Sequence, residues 1–150
     1  MKLRIEIDPE ADEEVIIRAH SLDEGTKALQ EAIARAVDAK GEIAVRSGDR
    51  ECYIPYREVL FFETDDGRVT AHTARERYLC PMRISELADL LPRTFARAAK
   101  GCLINTAHIR SISRSPTGVS TATFAGSDKT VFISRMYYKI VREIIEETRI

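Results

Sequence analysis

The sequence predicts a mainly β fold, α+β overall. A compact domain of antiparallel strands, with short helices and a C-terminal helix, is expected over residues 41–150, after a small ββα extension over residues 1–40. Two observations carry that division. After Gly41, short apolar runs alternate with turn signals, the mark of short strands joined by tight loops. Before Gly41 the chain is acidic, and its one long periodic stretch has helical spacing. A hydrophobic content of 44% in 150 residues is enough for a packed core, and 31% charged residues predict a globular chain.

In the extension, Leu3, Ile5 and Ile7 alternate with polar residues, Pro9 breaks the run, and Val15-Ile16-Ile17 restarts it. Ser21-Leu22-Asp23-Glu24 has the form of a capping box with Ser21 as the cap. Leu22, Leu29, Ile33, Ala36 and Val37 then follow helical spacing until Gly41 ends the helix. This unit either packs on the main domain or offers a contact for dimerisation or a regulatory protein.

Beyond Gly41, strands are expected at Ile43–Arg46, Cys52–Ile54, Val59–Phe62, Val69–His72 and Tyr78–Cys80. Asp65-Asp66-Gly67 is a strong hairpin signal between the third and fourth of these. A helix at Ile84–Leu91 stops before Pro92, because the residue preceding a proline is pushed out of the helical region. Phe95–Ala99, Leu103–Asn105, Ile109–Ser113, Val119–Phe124 and Thr130–Ile133 continue the strand pattern. Ser134 is the expected N-cap of the closing helix, with Ile133 and Tyr138 as a hydrophobic staple. Its expected apolar face is Tyr137, Ile140, Val141, Ile144 and Ile145.

Charge is unevenly placed. Residues 1–40 carry a net −4 and residues 41–150 a net +3, and within 93–142 nine Lys or Arg meet a single acid, Asp128. So basic a stretch predicts one surface for a polyanion. Three constellations sharpen this. Arg135 is expected in the first turn of the last helix, where the helix dipole disfavours a cation unless an anion is near, with Lys139 and Arg142 on the same face. Arg93, Arg97 and Lys100-Gly101 end in an exposed tip. Arg68 projects from the Asp66-Gly67 turn.

Catalysis has no comparable pattern. His20, His72 and His108 are isolated, without ligand spacing, and no nucleophile elbow, Walker loop or dinucleotide fingerprint occurs. Cys52, Cys80 and Cys102 form no C-x-x-C pair and read as packed, reduced thiols. No enzyme activity, cofactor or metal is expected. No apolar run is long enough for a membrane span, and the N-terminus lacks a secretion signal, which predicts a cytoplasmic address.

The ordered series Ile54-Pro55-Tyr56-Arg57-Glu58-Val59-Leu60-Phe61-Phe62-Glu63-Thr64, Val69-x-x-His72-Thr73, Ser85-Glu86-Leu87, Phe95-x-Arg97-x-x-Lys100, Leu103-Ile104-Asn105, His108-Ile109-x-x-Ile112 and Val131-x-Ile133-Ser134-Arg135-x-Tyr137 resembles the LytTR DNA-binding domain. The resemblance covers about two-thirds of the chain. It implies loops that enter successive major grooves of bent DNA, commonly at direct repeats, with base contacts at Gly67-Arg68, Lys100 and Arg135-Met136. Two departures stand out: Gly67 where some members have histidine or asparagine, and Ala99-Lys100-Gly101 where the family usually has His-Arg-Ser. Forty residues are too few for the receiver domain that most such regulators carry, so control by phosphorylation is not expected. Stand-alone members, which this layout resembles, include some held in check by a small membrane protein.

The expected function is therefore sequence-specific binding of double-stranded DNA by a bacterial transcription regulator, as a homodimer on its site. Gly67, Arg68, Lys100, Gly101, Arg135 and Met136 would approach the grooves, and Arg93, Arg97, Lys139 and Arg142 the phosphates. An alternative is a single-stranded nucleic-acid or RNA binder, which would want exposed aromatics among the basic residues. Another is a protein-interaction module with no affinity for nucleic acid.

Overall fold

Turn chemistry sets the strand lengths in the computed structural model, which describes residues 2–12, 14–38 and 41–149, the side chains of 34–38 apart. β1 (Glu42–Ser47) and β2 (Arg50–Pro55) are joined by two residues, and Gly48 takes the positive φ, +59°, that so tight a connection needs. β3 (Phe61–Asp65) and β4 (Arg68–His72) pair Asp65 with Arg68 across Asp66-Gly67, both at positive φ (50° and 74°), as in a type I′ turn. β5 (Arg77–Cys80) follows, then α2 (Ile84–Leu90), closed by a Leu91 N–H bond to the Leu87 carbonyl just before Pro92. β6 (Phe95–Ala99) and β7 (Cys102–Asn105) form the next hairpin. β8 (Ile109–Arg114), β9 (Ser120–Phe124) and β10 (Thr130–Ile133) lead to α3 (Tyr138–Thr148).

All eight pairings among the described residues are antiparallel. They build a seven-stranded sheet in the order β2-β1-β5-β4-β3-β7-β6 and a three-stranded sheet in the order β10-β9-β8. The expected mainly β fold is the observed one. Val59 and Leu60, expected to open β3, instead follow a 3-10 turn at Tyr56–Glu58, and β3 runs on to Asp65.

Two cores lie on opposite faces of the large sheet, because successive side chains of a strand point to opposite sides. Phe62, Leu103 and Phe95 join Val45, Val69, Ile84 and Leu87 beneath α2. Phe61, Ile104, Ala96 and Ala98 join Phe124, Val131, Ile133, Val141 and Ile144, beneath the small sheet and α3. β3, β6 and β7 are thus covered on both sides, and every residue of β7 is buried. The last helix is rotated from the expected face: Val141, Ile144, Ile145 and Tyr138 pack inward, whereas Ile140 is 47% exposed. Cys80 and Cys102 are buried and Cys52 half-buried, all as free thiols. Burial, helped by the Glu63 carboxylate, pushes the Cys102 thiol up to about 12, far from thiolate chemistry at neutral pH.

The two strands expected in the extension do not form. No strand occurs among the described residues 2–23, and Leu3, Ile5, Ile7, Val15 and Ile16 are 60–92% exposed. Alternation makes a strand only where a neighbouring strand accepts its hydrogen bonds and something covers its apolar side. The helix does form, as α1 (Glu24–Asp38), but its cap is Asp23, whose carboxylate accepts the Thr26 N–H at 2.8 Å, and not Ser21. The apolar positions Ala36 and Val37 lie among the undescribed side chains, and the boundary at residue 40 falls outside the described residues.

Candidate nucleic-acid interface

Hydrogen bonds between turns gather the predicted tips at one end of the molecule. The Thr64 N–H donates to the Gly101 carbonyl at 2.7 Å, fastening the β6–β7 turn beside the β3–β4 hairpin. A Cβ on Gly101 would stand 3.3 Å from the Thr64 Cβ, so glycine lets this turn seat against β3. The Ser134 N–H donates to the Ala98 carbonyl at 2.7 Å, which brings the junction of β10 and α3 to the same end of β6. Ile133 pairs with Ser120, so the β8–β9 turn lies there too.

Arg68, Lys100, Arg135 and Met136 are exposed at this end, and Met136 is 79% exposed. Neither Arg68, Lys100 nor Arg135 has a carboxylate partner among the described residues. Arg97 is half-buried and donates to the Lys100 carbonyl at 3.2 Å, bracing the tip from behind. Lys139 is exposed on α3, and Arg142 is bound to Glu146 at 3.0 Å one turn on.

Not all of the basic stretch is gathered. Arg93 stands before β6, at the opposite end from Lys100, and its guanidinium meets Glu147 at 2.9 Å near the end of α3. Lys129 stands before β10 and bonds the Glu76 carbonyl at 2.7 Å. The expectation of one surface from this charge run therefore needs correction, because a strand reverses the chain and places its ends far apart. The start of α3 is also corrected. Ser134 accepts the N–H groups of Tyr137 and Tyr138 through its carbonyl, no side chain caps the helix, and Arg135 lies in the preceding turn, outside the first helical turn.

Sequence reasoning passed over Arg114, which falls between the strands expected at Ile109–Ser113 and Val119–Phe124. Arg114 lies over the Tyr138 ring, its guanidinium carbon 4.5 Å from the centroid. The usable signal was a cation directly before a turn sequence.

Below the tips, His72 is buried and stacked on Phe61 at 4.3 Å. Its Nε2 is 2.8 Å from Glu63, and its Nδ1 is 3.4 Å from the Lys129 ammonium, which can only donate. The ring is thus neutral, with its proton on Nε2. Burial holds its pKa below 6.5, and Lys129 and Arg77 act in the same direction, against Glu63. Its contribution to stability is complete above about 6.5, where the unfolded ring titrates, and is lost as pH falls through the lower native value. Urea titrations from pH 7.5 to 5 are expected to show stability falling in this window for the wild type, with a shallower fall for His72→Phe. Parallel curves would refute it.

A family model described as the LytTr DNA-binding domain matches residues 49–146. The chain belongs to the LytTr DNA-binding domain family. It is 27% identical over 145 residues to an uncharacterized HTH-type transcriptional regulator of Staphylococcus aureus strain NCTC 8325, covering 95% of this chain and 97% of that one. A counterpart in strain MSSA476 is 28% identical over 96 residues, 63% of this chain and 65% of its own length. The fold is similar to the LytTr DNA-binding domain of a Bacillus cereus protein assigned as a methyl-accepting/DNA response regulator, with a TM-score of 0.66, 18% identity, and coverage of 71% of this chain and 98% of that one. No helix-turn-helix stands among the described residues of this LytTr protein: α2 and α3 are separated by five strands, as are α1 and α2.

Proposed function

We propose that this LytTr protein is a sequence-specific regulator of transcription that reads double-stranded DNA with the turns gathered at one end of its sheets. The observation that carries the reading is the placement of Arg68, Lys100 and Arg135, from three separate tips, at one end of the molecule, with no carboxylate partner for any of them among the described residues. Arginine and lysine at turn tips suit the guanine edge in the major groove, and exposed Met136 suits a thymine methyl. Lys139 and the Arg142–Glu146 pair on α3 would face the phosphates, Arg97 would brace the tip, and Arg93 takes no part. Cytoplasmic homodimers on direct repeats, bending the duplex, complete the reading. It includes no phosphorylation step within the described residues, whose antiparallel sheets offer no receiver-type parallel sheet.

Selection of duplexes from a random pool by the purified protein, followed by footprinting, tests this. One enriched motif with protection repeated about one helical turn apart is expected. No enrichment at moderate ionic strength would end the proposal.

The extension favours a second, compatible reading. Leu3, Ile5, Ile7 and Leu22 are 65–92% exposed, an apolar surface that a small membrane inhibitor could cover. Membrane co-purification should then depend on residues 1–40, and equal recovery without them would dismiss the inhibitor.

A further inference from the structure

The β8–β9 turn and the turn before α3 border a cleft of about 240 Å³, lined by Arg114, Ser115, Pro116, Gly118, Ser120, Arg135 and Tyr138. Two guanidinium groups share this space, and neither has a carboxylate partner among the described residues. Like charges lining one cleft repel, and a bound anion turns that cost into two attractions. The cleft is also built. Gly118 takes φ +94°, a conformation that side chains rarely adopt, and the Arg135 guanidinium lies against it. Ser115 Oγ accepts the Thr117 N–H at 3.2 Å and meets its hydroxyl at 2.7 Å, which fixes the turn. The Tyr138 ring holds the Arg114 guanidinium by its face, leaving the planar fork able to donate.

We propose that this cleft is a phosphate-binding site, with Arg114 its principal ligand-holding residue and Arg135 its second wall. The group bound is a tetrahedral phosphate oxyanion, either a phosphodiester of the duplex or a phosphate carried by a free small molecule. Placement favours the duplex, because the cleft lies beside Arg135 at the end where the tips gather. In that form the inference rests on the reading of function above, and it adds a fourth contact, from the β8–β9 turn, to the three tips.

Arg114→Gln and Arg114→Lys separate the outcomes. Arg114 is exposed, so both variants are expected to keep the wild-type circular dichroism spectrum and melting curve. On the selected duplex, Arg114→Gln should weaken binding to all sequences alike and make the slope of log affinity against log salt shallower by about one unit, with Arg114→Lys restoring the slope. In a scan of single methylphosphonates along that duplex, one position should weaken the wild type and leave Arg114→Gln unaffected. Without DNA, inorganic phosphate should shift the amide resonances of Ser115, Thr117, Gly118 and Ser120 saturably in the wild type and not in Arg114→Gln. Phosphate shifts without any effect on duplex binding support the site and assign it to a free phosphate. Persistent shifts in a protein that binds no duplex support the site while refuting the proposed function. Equal salt slopes for all three proteins, together with no phosphate-dependent shifts, overturn it.

Discussion

Arg135→Ala is expected to lose about 1–3 kcal/mol of discrimination between the preferred duplex and one changed at the contacted base, roughly a five- to 150-fold loss of specificity. The size follows from how the side chain is held. The Ser134 N–H is tied to the Ala98 carbonyl at 2.7 Å, and the Ser134 carbonyl receives both Tyr137 and Tyr138, so the backbone on either side of Arg135 is fixed. Gly118 lies against the guanidinium from the side. The side chain is exposed and has no carboxylate to leave before it meets a base. Little ordering remains to offset the bidentate contact it would make. Lys139→Ala gives the contrast. Lys139 projects from α3 as a mobile point charge, and its removal should weaken every sequence alike and flatten the salt slope by about 0.9. Competition binding with matched and single-base-changed duplexes at three salt concentrations distinguishes the two. If Arg135→Ala and Lys139→Ala lower affinity for matched and changed duplexes by the same factor, Arg135 is not the reader.

The succession of strands past Gly41 was legible because turn chemistry separates them, whereas their order in the sheet, with β1 beside β5 and β3 beside β7, was not. Asp66-Gly67 announces a two-residue connection, and the apolar runs on either side of it have strand length. Where a tertiary partner decides, reading failed. The alternating N-terminal runs look like strands, yet a strand needs a neighbour, and the described part of the extension supplies none. The register of α3 shifted for a similar reason: the Ser134–Ala98 bond extends the chain through one more turn before the helix begins at Tyr138. That shift buries Tyr138 in part and turns Ile140 outward. Charge counting recognised a basic segment but could not divide it. Arg93 and Arg97 are four residues apart, yet one pairs with Glu147 at the far end and the other braces Lys100 at the tip.

Asn105 shows how a polar residue in a buried strand holds the fold at the end away from the interface, and its removal should be the more damaging change to the fold. The residue is 2% exposed at the end of β7. Its Nδ2 donates to the Val59 carbonyl at 3.0 Å, its Oδ1 accepts the Ala107 N–H at 3.2 Å, and its own N–H donates to the Leu60 carbonyl at 2.8 Å. One side chain thereby joins the lead-in to β3 with the turn after β7. Asn105→Ala would strand the buried Val59 carbonyl at a cost of about 1–3 kcal/mol, take the partner from the more exposed Ala107 N–H, and leave a void besides. A total of about 2–5 kcal/mol is expected, a large part of the roughly 5–15 kcal/mol that holds a domain together. Asn105→Leu should fare no better, because it fills the volume and satisfies neither group. Urea unfolding should show the midpoint falling with an unchanged slope, and the folded fraction should still bind the selected duplex with wild-type specificity, since the tips lie at the other end of β3 and β7. A loss below about 0.5 kcal/mol would mean that water serves both groups as well as the amide does.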